Sequence, residues 1–189
     1  MTHNNDDLMN QERTDANRIV QKIHEAFHDI SYPGDDHIVS VQDPTLEAQE
    51  IREIYRGKDW RELDAKFLNN YCIQSIFFLE PQAYRFFLPA FLAASVKDYN
   101  DCFDIMEDTV ATLLHPFTIQ KLYRSSWSEE EISFRMYTFS RSMDSLTYSQ
   151  VEVIVDFLNF LCNYHPSDFY YNESRLALDE YWLDRLNKK

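Results

Sequence analysis

Apolar residues are densest along Phe77–Val96, which reads FFLEPQAYRFFLPAFLAASV. Pro81 suits the first position of a helix, where its missing N–H costs nothing. From there, Ala83, Tyr84, Phe86, Phe87, Leu88, Phe91, Leu92 and Val96 leave almost no polar face. A helix apolar nearly all round lies inside a protein or a membrane. A span needs ~20 predominantly apolar residues with few or no charges. Glu80, Arg85, Pro81 and Pro89 interrupt this run, which predicts a buried core helix over 81–96. Pro89 removes one helical hydrogen bond and predicts a kink or a break. A second all-round apolar helix, near 148–163, follows the Thr147–Gln150 capping box and carries Val151, Val153, Ile154, Val155, Phe157, Leu158, Phe160 and Leu161. It is expected to rest on the first.

The remaining elements follow the helical period. Ala16, Ile19, Val20, Ile23 and Phe27 share one narrow face and predict a helix over about 15–29, behind a disordered tail at 1–13. Pro33-Gly34 marks a turn, Asp43-Pro44 opens a second helix, and Gly57 closes it. Asp59 caps a third carrying Trp60, Leu63, Phe67 and Leu68. A helix over about 99–114 turns Phe103, Met106, Val110, Leu113 and Leu114 inward, and His115-Pro116 ends it. Residues 116–127 are the least regular, with a short extended piece expected at Phe117–Tyr123. Ser128–Glu131 is a second capping box, and Asn172 caps a last amphipathic helix. The sum is an all-α single-domain bundle of about seven helices over 14–187, around the two buried ones.

Composition narrows the function classes. Two glycines in 189 residues exclude the dinucleotide fingerprint, the P-loop and the kinase loop, each of which needs several close together. The formal net charge of −14 argues against nucleic acid and anionic membranes, whose binders present Lys/Arg-rich faces. It suits a basic protein partner. Cys72, Cys102 and Cys162 are odd in number, far apart and in apolar contexts, as expected of reduced thiols in the cytoplasm. The polar, acidic N-terminus lacks the basic and apolar regions of a signal peptide.

Tyr32-Pro33-Gly34-Asp35-Asp36, Gly57-Lys58-Asp59-Trp60 and the run Phe78–Leu92 together resemble an uncharacterised bacterial family known only as a domain of unknown function. Leu146–Gln150, Phe157-Leu158 and Ala177–Trp182 are similar to it as well, so the resemblance spans roughly residues 20 to 183. It implies a bacterial, cytosolic, mainly helical protein and carries no activity.

Candidate chemistry centres on the loop after the first helix. His24 and His28 stand one helical turn apart, a spacing that chelates divalent ions. Asp35, Asp36 and His37 lie across the Pro-Gly turn, within reach of completing a metal site and a hydrolase. The bland alternatives are solvated histidines and Asp side chains that cap the turn. Trp60 is expected to anchor a helix rather than shelve a ligand. Tyr84 and Arg85 sit side by side in the central helix; Arg85 is expected to snorkel or to pair with Glu80 or Asp36. Tyr164 and Phe169-Tyr170-Tyr171 suggest an exposed aromatic patch. The leading expectation is a non-enzymatic protein-binding module, a monomer or homodimer of the immunity-protein or regulatory-adaptor type. It uses an acidic, aromatic-bearing surface and no cofactor. The metal-dependent hydrolase is the alternative.

Overall fold

A computed structural model of the chain describes residues 2–166 and 172–188. Among them the chain forms nine helices and no strand. They are α1 (Thr2–Ala26), α2 (Leu46–Tyr55), α3 (Ala65–Tyr71), α4 (Pro81–Lys97), α5 (Phe103–Leu113), α6 (Pro116–Leu122), α7 (Glu129–Asp144), α8 (Tyr148–Tyr164) and α9. The last is one rod in three parts: an α segment Glu173–Ala177, a π turn Leu178–Trp182, and an α segment Leu183–Asn187. No helix among the described residues is long and apolar enough to cross a membrane.

Helix α4 is the axis. Helices α1, α5, α7 and α8 all lie against it, and α1 also rests on α8. Twelve of its seventeen residues are buried, Pro89 among them. The helix runs unbroken through Pro89, so the expected break is absent. Large buried side chains flank the proline on both sides and hold the rod together: Phe86, Phe87, Phe91 and Leu92 are each 3% exposed or less. The Ser95 hydroxyl donates to the Phe91 carbonyl, so a polar group sits here without loss.

The boundaries follow local chemistry. Ser128 and Thr147 each close a full capping box, opening α7 and α8. The Thr45 hydroxyl caps α2, while Asp43 accepts from the Thr45 N–H and hydroxyl just before it. Gly57, with φ 63°, takes the left-handed position that ends α2.

Several expectations need correction. α1 starts at Thr2 rather than near Asp15, so the segment expected as a tail is helical. From Asp6 on, its first buried side chain is Ala16, where the apolar period begins. The third helix is split into a turn at Trp60–Glu62, capped by Asp59, and α3, capped by Asp64. Residues 116–122 are helical, not extended, because the proline that ends α5 also occupies the first position of α6. Phe103 is 40% exposed rather than inward, as α5 is anchored instead by Ile105, Met106, Thr109, Val110 and Leu113.

Candidate functional site

The loop from Ile30 to Ser40 ties the sequence motifs into one knot. The Tyr32 hydroxyl donates to Asp35 (2.6 Å) and accepts the Gly57 N–H (2.9 Å). Its ring meets Phe86 edge-on at 5.5 Å and Phe87 at 6.4 Å. One side chain therefore joins the Pro-Gly-Asp-Asp turn, the Gly-Lys-Asp-Trp turn and the central helix. Burial, then the bond to Asp35, pushes the Tyr32 phenol above its ordinary pKa. Gly34 supplies φ 93° at the start of the turn Asp35–His37, a conformation that L side chains rarely adopt. Beyond it Ile38 and Val39 are buried, and Arg52 donates to the carbonyls of Val39 and Ser40.

The five proposed metal ligands do not gather round one point. His24 lies with its ring 5.0 Å from Trp60. His28, in the turn after α1, has its Nδ1 2.8 Å from the Glu25 carbonyl. Asp35 bonds Tyr32 and faces Arg56 at 3.7 Å, while His37 faces Glu80 at 3.7 Å. Asp36 is exposed. Among the described residues, no group of three or more His, Cys, Asp or Glu is arranged to hold a metal ion. α1 ends at Ala26, short of the expected Asp29, so His28 falls in the turn after the helix and His24 and His28 do not form a pair on one helix face.

Trp60 is an anchor, 2% exposed, with the Arg61 guanidinium 4.7 Å from its ring centroid. Arg61 also bonds Asp59 and the His28 carbonyl, holding the turn after α1 to this one. Tyr84 is buried and bonds Thr112 across to α5, and burial raises its phenol pKa.

Arg85 pairs with neither Glu80 nor Asp36. Its Nε donates to Gln150 Oε1 at 3.1 Å. Gln150 is wholly buried and serves three elements at once. Its Oε1 also accepts the Thr147 N–H, closing the α8 capping box, and its Nε2 donates to the Ala26 carbonyl at the end of α1. An amide offers both an acceptor and donors, which no carboxylate at Glu80 or Asp36 would supply to this junction.

Of the aromatic patch, Phe169, Tyr170 and Tyr171 lie outside the described residues. Tyr164 donates to Asp15 at 2.6 Å and so closes α8 onto α1. That bond, with burial second, pushes the Tyr164 phenol up to about 12, and it pulls Asp15 down.

A different aromatic surface is present. α7 carries two apolar faces. Ile132, Met136, Phe139 and Met143 share one face at i, i+4, i+7 spacing, and Phe139 and Met143 of that face are buried in the core. Phe134 and Tyr137 lie on the other and are 70% and 59% exposed. Beside Phe134 runs an apolar groove of about 280 Å³ between α4, α5, α6 and α7. Phe77 and Phe134 line its exposed part, and Leu114, Ile119, Phe139 and Met143 lie deeper. Among the described residues, Arg135 is the one charged side chain in its lining, and carboxylates adjoin the lining residues in the sequence. Asp108 accepts the Gln74 N–H at the start of the turn that carries Phe77, and Glu129–Glu131 open α7. Burial, with neighbouring carboxylates second, holds Glu107 above the usual carboxylate range; burial does the same to Asp108.

A family model described as a family of unknown function (DUF6714) matches residues 15–186. The chain belongs to that family. The match begins beside the buried Ala16 of α1 and takes in both buried helices of the DUF6714 fold. No curated protein and no solved structure matches the chain.

Proposed function

We propose that this DUF6714 protein is a non-enzymatic binding module that takes a basic, amphipathic segment of a partner protein into the groove between α4 and α7. The observation that carries this reading is the pair Phe77 and Phe134, both more than half exposed at the mouth of an apolar groove. Exposed aromatics that rim a groove are the usual anchors of helix-in-groove recognition. The net charge of −14 and the carboxylates at α7's first turn supply the complementary field for a cationic segment. A role of the immunity-protein or regulatory-adaptor type in a bacterial cytoplasm fits this chemistry. Three free cysteines, two of them buried, are in keeping with a reducing compartment.

The test uses a fluorescent Leu/Lys peptide with amphipathic helical spacing, beside a scrambled peptide of the same composition. The helical peptide binds saturably, more weakly at high salt, and Phe134→Ser lowers its affinity about tenfold, as loss of a buried aromatic anchor does. Equal binding of the scrambled peptide, or an unchanged Phe134→Ser variant, overturns the proposal.

A further inference from the structure

A second depression shares no lining residue with the groove. It is a cleft of about 570 Å³ where the Asp29–Pro33 loop meets the start of α4 and the end of α7. That volume is of the size that takes a small molecule. Two guanidinium groups line it, Arg85 from α4 and Arg141 from α7. Neither has a carboxylate partner among the described residues. Arg85 is held by a single bond from Nε to the buried Gln150 amide, which fixes the side chain and leaves both Nη groups without an acceptor among the described residues. Arg141 makes only a 3.3 Å bond to the Tyr137 hydroxyl and lies 5.6 Å from that ring. Gln82 and Ser145 add an amide and a hydroxyl, Phe86 adds a ring, and Asp29 is the one carboxylate in the lining.

The balance of two cations against one anion is notable in so acidic a chain, where seven other Lys or Arg side chains face a carboxylate within 4.0 Å. A guanidinium held in place with its Nη pair unused matches the two oxygens of a carboxylate or phosphate. We propose that this cleft binds a small molecule through an oxyanion, a phosphate or a carboxylate, gripped by Arg85 and Arg141. The site is independent of partner binding at the groove.

The test is a thermal-shift titration with inorganic phosphate and, separately, with succinate, both at constant ionic strength set by sodium chloride. One or both anions raise the melting temperature saturably, and whichever does so tells phosphate from carboxylate chemistry. Arg141→Gln, on the exposed side, weakens the apparent affinity at least tenfold. Arg85→Gln does the same where it folds, and Arg141→Gln decides the matter where it does not. Arg135→Gln, whose guanidinium lies over Trp127 outside the cleft, leaves the response intact. No rise beyond the chloride control with either anion, or an unchanged response in Arg141→Gln, overturns the proposal.

Discussion

Gln150 is the polar residue on which the junction of α1, α4 and α8 depends, and its removal should be costly. Gln150→Ala strips the donor from the Ala26 carbonyl and the acceptor from the Thr147 N–H and Arg85 Nε. A buried polar group left unsatisfied costs about 1–3 kcal/mol. Arg85 and Ala26 are half-buried and Thr147 is exposed, so water takes back part of the loss. The expected destabilisation is about 2 kcal/mol. For a chain of this size that lowers the melting temperature by roughly 6 °C. Chemical denaturation with urea, followed by far-UV circular dichroism, gives the free energy directly. Thr147→Ala is the internal control. It removes only the hydroxyl that accepts the Gln150 N–H, a cap loss of about 1 kcal/mol. If Gln150→Ala costs no more than Thr147→Ala, Gln150 is a capping residue alone and the links to Ala26 and Arg85 contribute nothing.

Other predictions follow from the core and its titrating groups. Phe87 touches Tyr55, Phe86 and Tyr32 with no exposure, so Phe87→Ala should cost about 3–5 kcal/mol in the same urea assay. His115 lies among Phe117, Phe139 and Tyr181, and burial lowers its pKa below 6.5. A depressed folded pKa contributes stability that is present above pH 6.5 and lost as pH falls through the lower folded value. Stability measured from pH 7.5 down to 5 should therefore fall more steeply in the wild type than in His115→Phe. Burial pushes the Cys72 and Cys102 thiols up to about 11, so at pH 8 iodoacetamide should label them only when urea unfolds the chain. Rapid native labelling would contradict the burial of Cys72 beside Tyr55 and Ser75, or of Cys102 beside Asn69.

Much of the fold is legible in the pattern of residues because burial and period coincide. α4 and α8 are apolar nearly all round and are buried nearly all round, and both capping boxes stand where Ser128-Glu131 and Thr147-Gln150 predict them. Legibility fails where burial is absent or a residue has two roles. Between Asp6 and Asp15 α1 has no buried side chain, so no period announces this stretch. Pro116 both ends α5 and begins α6, and the aromatic and β-branched residues after it mimic a strand. The chemistry was harder to read. A helix over 15–29 would set His24 beside His28, but α1 stops at Ala26; a third ligand depends on how the loop returns, and Tyr32 draws Asp35 toward Gly57 instead. Arg85 finds an amide at Gln150, far along the chain, where a search for nearby acids does not look. The groove left a trace in the sequence: Phe134 and Tyr137 stand off the face set by Ile132, Met136 and Phe139.

The groove is the claim on which the functional reading rests, and methyl NMR with the amphipathic Leu/Lys peptide tests it most directly. Saturable shifts at Leu114, Ile119 and Met143, which line the groove, with Ile23 and Val153 unmoved, are the predicted result. Shifts spread over the acidic surface with those three methyls unchanged would show that charge alone attracts the peptide and would contradict the account.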